Sequence, residues 1–184
     1  WHGNSALAAF TAIYSPKHRR HGGCCVKGNP KVIEYLNEVL KAELTAISQY
    51  FLHAEMMENW GYDALSKRTK KEAIDEMKHA EMLMERILFL DGMPRMHELF
   101  PFRIGENVKS QIENDLALEL EAVVRLNKAI AEAAAAGDNG SREMFESILA
   151  DEEEHVDFLE AQLHLIAEIG LEKYLAQQIE GGRA

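Results

Sequence analysis

The sequence predicts an all-α fold: a four-helix bundle with one long crossover and a short fifth helix at its C-terminal end. Three observations carry this. Apolar residues recur at helical spacing along long stretches, as at Leu36, Val39, Leu40, Ile47 and Tyr50, which marks a helix that buries one face. Glycine and proline punctuate the chain between those stretches. The joints inside each helix pair are short, whereas the middle connection is long, and no alternating strand pattern competes.

Taken in order, Pro30 suits a first helical turn, and helix one runs from about residue 30 to Asn59, where "NWGY" breaks it. Helix two runs from about Asp63 to Leu90 and stops at "DGMPR". Helix three starts after Gly105 and ends at "AGDNG"; helix four runs from about Ser141 to Glu168, and Gly170 ends it. "LEKYLAQQIE" is the short fifth helix, followed by a loose "GGRA" tail. A helix of about 28 residues is ~42 Å long. The connection over residues 91–105, which carries Phe100 and Phe102, reaches ~50 Å when extended. It therefore spans the whole bundle, giving helix pair, crossover, helix pair.

At 184 residues the chain makes one domain with a sizeable core. A formal charge of -11 argues against a nucleic-acid partner, which favours a basic face, and fits attraction of cations. Cys24 and Cys25 are adjacent and are the only cysteines, so they build neither a disulfide framework nor a four-cysteine metal site. A reducing cytoplasm is the expected home. No apolar run reaches the roughly 20 residues of a membrane span. The nearest, "SALAAFTAIY", has its basic residues after it, the wrong order for a secretory signal.

The chemistry lies in two short stretches. "DEMKHAE" and "DEEEHVD" each place a glutamate three residues before a histidine, Glu76 with His79 and Glu152 with His155, and the two pairs are 76 residues apart. Helices one and three supply Glu43 in "LKAELTAIS" and Glu119 in "LALELEAV", each 33 residues before its pair. Glu43 rides on the apolar stripe of helix one, and Glu119 on that of Ile112, Leu116, Ala122 and Val123. Buried carboxylates are costly unless paired or metal-bound, so four at one level call for cations. Four carboxylates and two neutral imidazoles balance two divalent ions. Hard oxygen ligands with one imidazole per metal suit iron or manganese, with zinc able to compete. One Glu from each of two helices and Glu-x-x-His from the other two is the template of di-iron carboxylate bundles.

Residues 26–180 resemble a bacterioferritin. The stretches that carry this are "KGNPKVIEYLNEVLKAELTAISQYFLHAEMMENWGY", "DEMKHAEMLMERILFLDGMP" and "SILADEEEHVDFLE". The resemblance implies a ferritin-like di-iron domain over residues 26–184. Glu43, Glu76, His79, Glu119, Glu152 and His155 match the catalytic ferroxidase ligands, with Glu76 and Glu152 in the bridging places. It implies a homo-oligomeric shell of about 24 subunits built from dimers. There Fe(II) would be oxidised by O2 or H2O2 and stored as a ferric mineral. The ferric pair would either move inward or stay as a redox cofactor. It further implies haem b bound between two subunits by Met77, which points about 100° away from Glu76, with a small ferredoxin or reductase aiding iron release. The other reading of Met77 is a soft interface residue.

Tyr50 is expected beside the metals, as an electron or hydrogen-bond donor or as a packed core residue. An additional inner-surface iron site of the family uses a His and an Asp one turn apart; here Asp75 stands with Lys71 in the His place, which puts that site in doubt. Residues 1–25 form an N-terminal extension outside the resemblance. One reading is a metal-binding arm of His18, His21, Cys24 and Cys25; the other is translation from Val26, with Gly22 and Gly23 encoded by a ribosome-binding sequence. Three rival functions share parts of this pattern: a rubrerythrin-type peroxidase, a di-iron oxygenase, and a non-catalytic bundle or haem carrier.

Overall fold

The computed structural model describes residues 26–179. Five helices and no strand occur among them: α1 (Pro30–Asn59), α2 (Asp63–Phe89), α3 (Val108–Ala135), α4 (Asn139–Ile169) and α5 (Leu171–Ala176). Residues 1–25, with the His18, His21, Cys24 and Cys25 of the extension, and the "GGRA" tail lie outside the described residues.

Local chemistry sets the ends. Asn29 accepts a hydrogen bond from the Lys31 amide at 2.8 Å, ahead of Pro30 in the first turn, where a missing N–H costs nothing. Asn107 and Ser110 form a reciprocal capping box at the start of α3. Gly170, at φ 83°, closes α4. The start of α4 departs from expectation by two residues: the helix begins at Asn139, not Ser141, and takes in Gly140. Asp138 is its cap, accepting from the Ser141 amide at 3.0 Å. A Cβ on Gly140 would lie 2.8 Å from the Arg86 guanidinium, which reaches across from α2 to Asp138 and Ser141. This glycine serves close approach and not a turn.

α1 packs along α2 and α3 along α4; α1 and α3 join the two pairs, while α2 and α4 touch sparsely. A groove of about 440 Å³ therefore opens between α2 and α4. The apolar core has two large parts and a small third cluster of Ala46, Tyr50 and Ala73. One large part gathers Leu36, Leu40, Leu83, Ile87, Phe145 and Ile148; the other gathers Met57, Leu65, Val108, Ile112, Ile166 and Tyr174. The six acidic and imidazole residues singled out above fall between these two. Tyr174 fastens α5 by donating its hydroxyl to Gln162 at 2.9 Å, and burial raises that phenol to about 12.

The crossover runs from the end of α2 to Asn107 and is held by its backbone. The amides of Arg95, Phe100, Arg103 and Gly105 donate to Asn37, Thr45, Gln49 and His53 of α1, at 2.8, 2.9, 2.8 and 3.2 Å. Because His53 accepts at Nε2, its proton sits on Nδ1, which donates to the buried Asp115 of α3 at 3.0 Å. Gln49 donates to the same carboxylate at 2.8 Å. The Phe100 ring lies between Lys41 Nζ at 4.2 Å and the Arg125 guanidinium at 4.9 Å.

Candidate metal centre

Glu43, Glu76, Glu119 and Glu152 are each at most 2% exposed, yet each has one carboxylate oxygen that makes no hydrogen bond. The four long helices bring these oxygens together with two imidazoles. Ligand atoms of Glu43, Glu76, His79 and Glu152 lie within 4.8 Å of one another, and so do those of Glu76, Glu119, Glu152 and His155. Glu76 and Glu152 belong to both groups. All six residues expected to share a level do so.

The two halves are near copies. His79 Nδ1 lies 2.9 Å from Glu76, 3.4 Å from Glu152 and 3.8 Å from Glu43. His155 Nδ1 lies 3.1 Å from Glu76, 3.2 Å from Glu152 and 3.8 Å from Glu119. Each Nδ1 carries at most one hydrogen, so it cannot satisfy three carboxylates, and the unbonded oxygens are left for a cation. The donor set fits a pair of ions: two shared carboxylates, and one further carboxylate and one nitrogen for each.

Electrostatics point the same way. Burial and the repulsion of Glu152 push Glu43 and Glu119 well above the usual carboxylate range. Burial disfavours the charged imidazoles, but the surrounding carboxylates outweigh it and raise His79 and His155. Burial would likewise raise Glu152, yet His155 and His79 hold it at about 2. Without an ion the cluster holds protons; an ion that enters must displace them.

Two contributing residues escaped the sequence reading. His79 Nε2 faces Asp151 of α4 at 3.1 Å, and His155 Nε2 faces Glu72 of α2 at 2.8 Å. A carboxylate of the opposite helix thus stands at the outer nitrogen of each ring, hydrogen-bonded at His79 and in charge contact at His155, where a metal-binding histidine usually has its outer support. Asp151 stands beside Glu152 and Glu72 four residues before Glu76, but spacing along one helix does not show a bond across two.

The remaining expected residues fall as follows. Met77, next to buried Glu76, is 52% exposed on the outside of α2. Tyr50 is buried with Ala46 and Ala73 and its hydroxyl makes no hydrogen bond, which fits the packed-core alternative for this residue. Asp75 is engaged by Lys71 at 2.7 Å and Lys78 at 2.6 Å. Burial raises its carboxyl, but the two lysines together outweigh that and bring it to about 2.

The model of the ferritin-like domain family matches residues 33–169. The bacterioferritin of Streptomyces coelicolor is 50% identical over 155 residues, 84% of this chain and 93% of that protein. The chain belongs to the bacterioferritin family. The bacterioferritin of Mycolicibacterium paratuberculosis is 48% identical over 152 residues, covering 83% of this chain and 96% of its own length. That of Brucella melitensis is 46% identical over 149 residues, covering 81% and 92%. In this bacterioferritin chain, no helix among the described residues is long and apolar enough to cross a membrane.

Proposed function

We propose that the protein stores and detoxifies iron as a ferroxidase, oxidising Fe(II) at the paired centre and depositing ferric mineral inside a shell of its own copies. The observation that carries this is the buried layer in which Glu76 and Glu152 are common to two ligand groups, each completed by one glutamate and one histidine. Glu43 and Glu119 act as terminal ligands, Glu76 and Glu152 as bridges, and His79 and His155 bind through Nδ1 after losing its proton. Four carboxylates neutralise two Fe(II) ions. Each iron gives one electron to O2 or H2O2; with H2O2, two protons are taken up and two waters form. The two added positive charges exceed what the protein neutralises, so water-derived anions or departure of the ions must follow.

The groove between α2 and α4, lined by His79, His155, Asp151 and Glu154, supports a wet path for ions and protons. Asp75, tied to two lysines, is not offered as an additional inner ligand. The exposed apolar residues Phe51, Ile74 and Met77 on α1 and α2 support a dimer face at which Met77 of each copy would hold haem b, within a shell of about 24 subunits. A small ferredoxin would reduce the haem for iron release, in the cytoplasm.

Anaerobic Fe(II) titration of metal-free protein, followed by oxygen and absorbance recording, tests the centre. The expected result is a fast phase saturating at about two irons per chain, then slower continuing uptake. Saturation at one iron, or no fast phase, removes the assignment.

A further inference from the structure

The repeat that relates the two Glu-x-x-His pairs breaks one turn from the centre. At the 76-residue offset, Asp151 answers to Asp75, and Glu72 answers to Ile148. Asp151 supports His79 across the groove at 3.1 Å. Its counterpart Asp75 has both oxygens engaged by Lys71 and Lys78. Glu72, which has no counterpart carboxylate, instead stands 2.8 Å from His155 Nε2.

The two imidazoles therefore rest on unlike supports. The Glu72 side chain is 9% exposed and is also gripped by Arg68, whose guanidinium lies 4.4 Å over the Phe158 ring. The Asp151 side chain is 54% exposed, so water and salt weaken its hold. A buried, doubly held carboxylate fixes the ring and strengthens the opposite nitrogen as a ligand; an exposed one does so less.

We propose that Arg68, Glu72 and His155 form a latch that makes the halves of the centre unequal. The position of Glu119 and His155 is the tight one, and the position of Glu43 and His79 the weak one. Arg68 and Glu72 are positioning residues acting through His155. The inference rests on the paired metal centre of the preceding subsection. It also sets aside Glu72, Asp75 and His155 as a third ion site, although their ligand atoms lie within 4.8 Å of one another. With Nδ1 turned to the centre, Nε2 keeps its hydrogen and has no lone pair for an ion; its contact with Glu72 at 2.8 Å is one of charge, since neither Glu72 oxygen makes a hydrogen bond.

Anaerobic cobalt(II) titration of the full chain, followed by visible absorption, tests the latch without oxidation. Wild type is expected to fill in two steps, two ions per chain in all. Glu72→Ala should weaken the first step about 10- to 100-fold and spare the second. Glu72→Gln, whose carbonyl can still lie against Nε2, should recover most of that loss. Asp151→Ala should shift only the second step. Arg68→Ala should shift the first step by less, and it carries the test should Glu72→Ala fail to fold. Equal steps in wild type, a third ion lost with Glu72, or Glu72→Ala acting on the second step would overturn the latch. Cobalt binding by no variant, wild type included, would remove the centre itself and the latch with it.

Discussion

Glu76 and Glu152 differ from their four companions in belonging to both ligand groups. Glu76→Ala removes a ligand from both positions at once, so the fast oxidation phase should vanish while circular dichroism stays helical; unchanged fast kinetics would refute the bridging role. The protons of the metal-free cluster give a second prediction. His79 and His155 are raised above their ordinary range by the carboxylates. Their pairing thus stabilises the metal-free fold fully below about pH 6.5, and that contribution is lost only as pH climbs through the raised values. Ions compete with those protons, so apparent affinity should rise with pH. Loading in weak buffer at pH 7 should release about two protons per chain from the imidazoliums and, in addition, those held by Glu43 and Glu119, as read by an indicator dye. Uptake of protons, or affinity that falls with pH, would contradict the assignment. At this scale the six clustered residues were legible from the repeated Glu-x-x-His spacing and from the apolar stripes on which Glu43 and Glu119 sit. Glu72 and Asp151 were not, since their partners lie on another helix.

Among the elements, the hairpin of α3 and α4 depends on Asp138, which caps α4 and receives Arg86 from α2. Burial would raise the Asp138 carboxyl, but Ser141 and Arg86 outweigh it and hold it below the usual range. Its contribution is therefore present above the unfolded value near pH 4 and fades as pH falls through the lowered one. Asp138→Ala should cost about 1 kcal/mol, a fall of roughly 3 °C in Tm, and the deficit should shrink in acid. A deficit that grows in acid would show that the cap is not the cause. Helix ends elsewhere were readable from Pro30, Asn59 and Gly170. α4 was misplaced at its start because a glycine reads as a breaker in sequence, while Gly140 is inside the helix to make room for Arg86. The ladder from α1 to the crossover was also unread. Asn37, Thr45, Gln49 and His53 are polar residues at buried positions, and what they accept is main-chain N–H, which every sequence has.

The whole molecule is two apolar half-cores separated by a charged layer. Divalent cations that bind this layer in the folded state alone should raise stability by about 4 kcal/mol at a thousandfold excess over Kd. The expected gain is about 10 °C in Tm for a chain of this size, visible by calorimetry with cobalt(II) under anaerobic conditions and absent in Glu76→Ala. Equal gains in both proteins would locate the binding elsewhere. The outer face makes a separate prediction: Met77→Leu should abolish haem uptake in the pyridine haemochrome assay and leave the fast iron phase intact. Haem retained at full stoichiometry would return Met77 to a plain interface residue.

The crossover has a consequence for how this fold can vary over time. Its anchors are amides at Arg95, Phe100, Arg103 and Gly105, and its apolar side chains Met93, Met96, Leu99, Phe102 and Ile104 point outward. Proline, which has no amide hydrogen to give, occurs at 94 and 101, each beside an anchor and never on one. The attachment at Arg95, Phe100 and Arg103 therefore asks of the main chain only a hydrogen to give, whereas Gly105 must also stay bare, because a Cβ there would run into the Gln111 backbone. Outward letters are free to drift with whatever surface they meet, while these four positions keep a grammar of their own.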